Sequence, residues 1–184
     1  MSLRLRNLPL KGEAGYTLVE MLTVMGIMTI VFTGVTAVFV AGSRAQGEQD
    51  RRFQAQLDTR LALDKIRRDI HCASDVTPYA TNAVTLKITG CTGGDVSWCT
   101  AAVSGYTNRY ALYRQLGTTC SSGSGTRIAD YLTSGNAFPA FAHTSGCGCL
   151  ASLGVDFIVS VKGSSTVETY ELTDTIYLRN STRI

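Results

Sequence analysis

The sequence predicts an α+β protein in which a long N-terminal helix packs on a C-terminal antiparallel β-sheet. The helix is indicated by an apolar run from Met21 to Ala41 and by its continuation to about Ala73, which holds no proline and is rich in helix-forming residues. The sheet is indicated by the chain beyond Pro78, where short β-branched and aromatic runs alternate with Gly, Ser, Thr and Asn. A helix on one face of such a sheet is a stable two-layer arrangement.

The first part of the helix is an uncharged run from Met21 to Ala41. Because about twenty apolar residues can cross a bilayer as a helix, this run predicts a membrane-spanning segment. Glu20 lies at its edge, and a lone carboxylate in that position needs a partner. Cleavage between Gly15 and Tyr16 would create an α-amino group whose positive charge could pair with Glu20 of a neighbouring copy.

The segment Gly15-Tyr16-Thr17-Leu18-Val19-Glu20, followed by the apolar run, resembles the processing site of type IV pilins and type II secretion pseudopilins. The resemblance implies a pilin-like fold, cleavage after Gly15 by a prepilin peptidase and N-methylation of Tyr16. It also implies that Glu20 guides subunits into a helical filament. Ala37 stands where many major pilins have a helix-kinking proline, so we expect an unbroken helix here.

The resemblance also implies the cellular context. The partners would be the inner membrane, the prepilin peptidase, other pilin or pseudopilin subunits, and an assembly platform with its ATPase. Arg4, Arg6 and Lys11 precede the apolar run, and positive charge holds that end in the cytoplasm. We therefore expect a single-pass protein of the cytoplasmic membrane with its C-terminal domain outside, which later joins a periplasmic or extracellular filament.

A secretory signal peptide is the competing interpretation, since Ala41-Gly42-Ser43 offers small residues for cleavage after the apolar run. The run is longer than the usual apolar region of a signal peptide, and a signal peptide has no use for Glu20.

Four segments are predicted: a leader at residues 1–15, a transmembrane and filament-core helix at 16–41, its soluble continuation at 42–75, and a disulfide-containing sheet domain at 76–184. Within the last segment, the runs that predict strands are residues 83–89, 109–115, 126–132, 155–161 and 167–178, with a hairpin connection at 162–165.

The soluble part of the helix has two apolar stripes. One is predicted to dock on the chain's own sheet and contains Ala55, Ala62, Leu63, Ile66, Ile70 and Ala73. The other is predicted to meet other subunits and contains Phe53, Leu57 and Leu61. The alternative is that both stripes belong to one internal core. The charged residues Arg67, Arg68 and Asp69 are predicted to form a solvated face.

All six cysteines come after the membrane-spanning segment, which predicts three disulfides formed in an oxidising compartment. Fifteen pairings are possible. Cys91 and Cys99 enclose a short loop and form the favoured pair, which would leave Cys72 and Cys120 to bond with Cys147 and Cys149.

Catalytic and metal-binding patterns are missing from the sequence. There is no Cys-x-x-Cys pair, the only histidines are His71 and His143, and nucleophile-elbow, phosphate-loop and zinc-protease motifs are absent. We expect no enzyme activity, metal or cofactor. Asp156 and Asp174 are predicted to face solvent from strands. A net charge of +3 is too small to predict nucleic-acid binding by itself.

The function predicted from these observations is that of a minor pilin or minor pseudopilin. The order of helix, strands and a terminal Leu178-Arg179-Asn180 favours the minor class. The alternatives are a major pilin, a tip adhesin or DNA-uptake subunit that binds a surface ligand or DNA, and a bitopic membrane protein unrelated to filaments.

Overall fold

The computed structural model describes residues 15–89, 91, 93–143, 148–161 and 169–182. In these residues a single long helix, α1 (Leu18–Cys72), precedes eight strands. The strands are β1 (Ala73–Ala80), β2 (Ala83–Ile88), β3 (Val96–Ala102), β4 (Tyr110–Leu116), β5 (Thr126–Leu132), β6 (Phe141–Ala142), β7 (Ser152–Val159) and β8 (Tyr170–Tyr177).

The strands form one antiparallel sheet in the order β1-β2-β3-β4-β5-β7-β6, with β8 also paired to β7. The predicted α+β class, an apolar N-terminal helix followed by an antiparallel sheet, is therefore confirmed. The chain divides into two compact units at Gly47 and Glu48, and α1 contributes residues to both.

Five strands lie where the sequence predicted them, with ends that differ by a few residues. β1 was missed, because the sheet begins directly after the helix at Ala73 rather than beyond Pro78. β1 lies at the edge of the sheet, where proline is tolerated, so Pro78 does not end the strand. β3 and β6 were also missed. The hairpin connection predicted at 162–165 lies outside the described residues.

The second unit has one core between α1 and the sheet. Leu63, Ile66 and Ile70 of α1 are at most 5 % exposed, and they belong to the same apolar cluster as Trp98 and Phe157 of the sheet. The predicted docking stripe is therefore confirmed.

The other stripe faces outward in the isolated chain. Phe53, Leu57 and Leu61 are 60 %, 38 % and 64 % exposed. The alternative in which both stripes belong to one internal core is therefore wrong for this chain. Whether other subunits cover these residues stays a prediction.

The predicted disulfide pairing is wrong. Cys72 bonds to Cys91 and Cys99 bonds to Cys120, with Cα–Cα distances of 5.6 and 5.9 Å. Cys149 is also disulfide-bonded. Cys147 lies outside the described residues.

Strand register explains the observed pairs. Ala73 lies opposite Ile88, so the end of α1 comes next to the loop that holds Cys91. Cys99 lies inside β3, roughly 10 Å along the strand from its start, which takes it away from that loop. Cys99 pairs in register with Tyr113, and Cys120 returns to the same place, with its sulfur 3.8 Å from the Tyr113 carbonyl oxygen.

Candidate assembly surface

The first unit presents an apolar helical surface with no partner in the isolated chain. The large apolar side chains between Leu18 and Val40 are 40–79 % exposed. An 18-residue window of α1 has a mean hydropathy of 2.2, and none of its residues is buried inside the fold. By length and composition α1 can cross a membrane, which fits membrane anchoring.

The first turn of α1 is capped by Thr17, which lies three residues before Glu20. The hydroxyl oxygen of Thr17 accepts a hydrogen bond of 3.3 Å from the backbone N–H of Glu20. A threonine N-cap followed three residues later by glutamate is the sequence of a capping box, and the structure forms the threonine half of it. A carboxylate in the first turn is also favoured by the helix dipole. The Glu20 side chain is exposed and makes no hydrogen bond or ion pair with another described residue.

Hydroxyl groups along the same unit are satisfied within the helix. Thr23, Thr29, Thr33 and Thr36 each donate to a backbone carbonyl three or four residues earlier, at 2.7–2.9 Å. Each hydroxyl hydrogen is already bonded within the helix, so these threonines can lie in an apolar environment without an unsatisfied donor. Apart from the helix's own nearby backbone, no described atom lies within 4 Å of the position where Gly26 or Gly34 would carry a Cβ, so a neighbouring helix can approach closely at either glycine.

Comparison with known families identifies this N-terminal segment. A family model described as the prokaryotic N-terminal methylation motif matches residues 10–36, which include Gly15, Tyr16 and Glu20. The match supports the resemblance of this segment to type IV pilins and pseudopilins. No curated protein and no solved structure matches it.

A motif of this type implies processing by a prepilin peptidase and assembly with other pilin subunits in a membrane machinery. It indicates a structural subunit. The match covers only the N-terminal part of the chain, so the surface of the sheet domain must be interpreted from its own residues.

In the second unit, α1 is fixed to the sheet by a charged network around Asp69. The carboxylate of Asp69 accepts hydrogen bonds from Nε1 of Trp98 at 2.9 Å and from both Nε and Nη2 of Arg114, at 2.8 and 3.2 Å. The side chains of Asp69 and Arg114 are only 14 % and 23 % exposed. The prediction of a solvated face is therefore wrong for Asp69. A signal was present, since Asp69 follows the buried Ile66 by three positions and so shares its helix face.

A second set of polar contacts joins α1 to β8. Arg67 donates to Asp174 at 2.7 Å, and Nδ1 of His71 donates to the carbonyl oxygen of Tyr177 at 3.1 Å. Asp174 is thus an ion-pair partner of α1, and the prediction that it faces solvent is wrong. At the end of α1, the side-chain amide of Asn180 donates to the carbonyl of Cys72 at 3.1 Å. This contact satisfies one of the carbonyl groups that a helix end leaves unpaired.

Arg109 is the centre of another cluster that was not predicted. Its guanidinium lies over the rings of Tyr106 and Tyr131, 4.5 and 3.9 Å from their centroids, and donates to both carboxylate oxygens of Asp130 at 3.0 and 2.7 Å. Burial alone would raise the pKa of Asp130, but the hydrogen bonds from Arg109 and the Tyr131 backbone bring it below its usual value. The charge of Arg109 and that of Asp130 are thus paired within the cluster, and the cluster stabilises the pairing of β4 with β5.

Asp156 departs from its predicted solvent-facing position. Its Oδ1 is buried without a hydrogen-bond partner among the described residues. Burial, followed by the negative charge of Glu171, raises the pKa of the Asp156 carboxyl. The folded state binds this proton more tightly than the unfolded state does. Protonated Asp156 therefore makes its full contribution to the free energy of unfolding at pH values below the pKa of the unfolded state. This contribution is lost as the pH rises through the folded pKa.

We therefore expect Asp156→Asn to stabilise the protein at neutral pH by about 0.5–1 kcal/mol, because it removes a poorly solvated charge. Urea unfolding at about pH 7 measures this gain, which should disappear near pH 3, where Asp156 is protonated in both states. Asp95→Asn is the opposite control. The hydrogen bond from Lys87 lowers the pKa of Asp95, so this change should destabilise the protein at neutral pH. If both substitutions changed the free energy of unfolding equally at about pH 7, the opposite pKa shifts of Asp156 and Asp95 would be contradicted.

Groups of three or more histidine, cysteine or acidic residues arranged to hold a metal are not found in the part of the chain that the structure describes.

Proposed function

We propose that this chain is a minor pilin or minor pseudopilin, built into a type IV pilus or a type II secretion-type pseudopilus after cleavage of residues 1–15. The observation that carries the proposal is the exposed apolar helix whose first turn holds Glu20, within the segment that matches the methylation motif. In the mature chain, residues 16–41 form the filament core, 42–75 continue the helix, and 76–184 form the exposed domain.

The electrostatic part of the proposal concerns the mature N-terminus. Cleavage after Gly15 gives Tyr16 an N-methylated, positively charged amino group. Glu20 lies in an otherwise uncharged stretch that ends at Arg44, so its charge has no partner of opposite sign in its own spanning segment. Pairing with the Tyr16 amino group of a neighbouring subunit neutralises both charges when the helices leave the lipid and pack together.

Topology is determined by the flanking charges. Arg4, Arg6 and Lys11 hold the leader in the cytoplasm, where the prepilin peptidase acts. The sheet domain then lies outside the cytoplasmic membrane, and its disulfides fit an oxidising compartment. An assembly platform and its ATPase would extract the mature subunit into the filament.

The direct test is the N-terminus of the protein isolated from its own membranes, with and without the prepilin peptidase. We expect a chain that begins at N-methylated Tyr16 and that keeps residues 1–15 when the peptidase is removed. An intact leader in both strains would favour the unrelated bitopic protein. A start near Ser43 would favour a signal peptide. Counting copies per filament then separates the minor from the major class.

The exposed stripe of Phe53, Leu57 and Leu61 supplies a second contact between subunits in this proposal. We expect the double substitution Phe53→Ala and Leu57→Ala to reduce incorporation into filaments by about threefold to tenfold, since each truncation removes apolar area available for burial between subunits. The measurement compares the amounts of the chain in sheared filaments and in membranes.

Leu116→Ala is the matched control, because Leu116 is 63 % exposed but lies at the end of β4. It should leave incorporation unchanged, and neither variant should alter the thermal midpoint by more than a few degrees. Normal incorporation of the double variant would remove the stripe from the assembly surface.

A further inference from the structure

A shallow polar cavity of about 520 Å³ lies at one end of the sheet, and the proposed pilin function does not use it. Three parts of the chain meet there: the turn between β1 and β2, the end of β3 with the start of β4, and the loop after β5. Its volume is within the range of about 300–1,000 Å³ that small-molecule sites occupy.

Backbone and hydroxyl contacts fix the walls of the cavity. The carbonyl oxygen of Asn82 accepts hydrogen bonds from the N–H of Thr100 at 2.9 Å and from its hydroxyl at 3.3 Å, and the same hydroxyl also contacts the carbonyl oxygen of Gly135. The hydroxyl of Thr81 donates to Oδ1 of Asn136 at 3.2 Å. The shape of the cavity therefore does not depend on the side chain of Asn82.

The aromatic wall is Tyr110, which packs closely on Gly135. A Cβ at position 135 would lie 3.1 Å from Cε1 of this ring, so the glycine lets the loop approach the ring directly. The Tyr110 hydroxyl makes no hydrogen bond to any described residue. A partly buried ring with an open hydroxyl can stack on an apolar face and bond to a polar edge of the same ligand.

The remaining lining groups decide the chemistry of the ligand. All the residues around the cavity are uncharged, which disfavours phosphates, carboxylates and cations as ligands. The side-chain amide of Asn82 and the Nδ2 group of Asn136 have no hydrogen-bond partner among the described residues. Together with the hydroxyls of Ser134 and Tyr110 they offer adjacent donors and acceptors.

We propose that this cavity binds a neutral carbohydrate. Neighbouring sugar hydroxyls both donate and accept, as do carboxamides and hydroxyls, and the C–H face of a sugar ring fits against the Tyr110 ring. The proposal assigns a surface-ligand site to the sheet domain, and it does not depend on whether the subunit is assembled into filaments.

The first experiment applies the full chain, in a detergent without a sugar headgroup, to an array of neutral and sialylated oligosaccharides. A retained neutral oligosaccharide is then titrated by calorimetry. We expect Asn82→Ala to weaken binding about tenfold and Tyr110→Phe about threefold to tenfold, because each removes a hydrogen-bonding group that the ligand uses. Asn136→Asp keeps the acceptor for Thr81 but removes the amide donor, and it should also weaken binding about tenfold.

The matched controls are Gln54→Ala, which removes an exposed carboxamide from α1, and Tyr106→Phe, which removes a hydroxyl from an exposed tyrosine outside the cavity. Both should bind within about twofold of the natural chain, and fluorescence of the single tryptophan, Trp98, checks that every variant is folded. Retention of no neutral oligosaccharide would overturn the proposal. Binding that all three cavity variants leave intact, or retention of sialylated glycans alone, would also overturn it.

Discussion

Replacing Glu20 with glutamine is expected to reduce incorporation into filaments at least about tenfold while leaving cleavage after Gly15 intact. The substitution removes the charge that is proposed to neutralise a neighbouring Tyr16 amino group, and an unpaired charge in an apolar helix bundle costs a few kcal/mol. Glutamine is also accepted at the third position of a capping box, so the first turn of α1 should remain folded. A loss of assembly in this variant would therefore result from the lost charge and not from an unfolded first turn.

The amounts of chain in sheared filaments and in membranes give the measurement, and the mass of the mature N-terminus gives the check on processing. Glu48→Gln is the matched control. It removes a carboxylate from the same helix but beyond the apolar segment, where Glu48 pairs with Arg52 and both side chains are 41 % exposed. That change should alter incorporation by less than about twofold, because exposed pairs contribute little. Normal filaments from Glu20→Gln would disprove the pairing.

The second large effect is expected from Asp69→Ala, which should lower the free energy of unfolding by about 2–4 kcal/mol. The substitution leaves the buried indole N–H of Trp98 and the half-buried guanidinium of Arg114 without their acceptor. Because Trp98 is the only tryptophan, urea unfolding followed by its fluorescence reports directly on this contact between helix and sheet.

Asp64→Ala is the control on the same helix. Asp64 contacts Arg67 at 3.3 Å and its side chain is 64 % exposed, so its loss should cost less than about 0.5 kcal/mol. Combining Asp69→Ala with Arg114→Met should recover part of the lost stability, because the unpaired charge is then also removed. Equal destabilisation by Asp64→Ala and Asp69→Ala would mean that the buried network is no stronger than an exposed ion pair.

The sequence by itself determined the N-terminal helix of this protein. An apolar run of spanning length, a glutamate at its edge and a glycine five positions before that glutamate are local patterns, and the methylation motif and helix α1 agree with them. The buried helix stripe could also be predicted, because helix periodicity directly identifies the residues that share a face. For Leu63, Ile66 and Ile70 that prediction is confirmed.

Only the tertiary structure decided which distant residues meet. Disulfide pairing depends on strand register, and a loop spacing such as that of Cys91 and Cys99 carries no information about it. The partner of Asp69 is 45 positions away on β4, so the sequence predicted a solvated charge where the fold holds a buried one. The polar cavity joins residues from Thr81 to Asn136, and they form no motif along the chain. Periodicity and motifs are local, whereas register and loop packing result from the whole sheet.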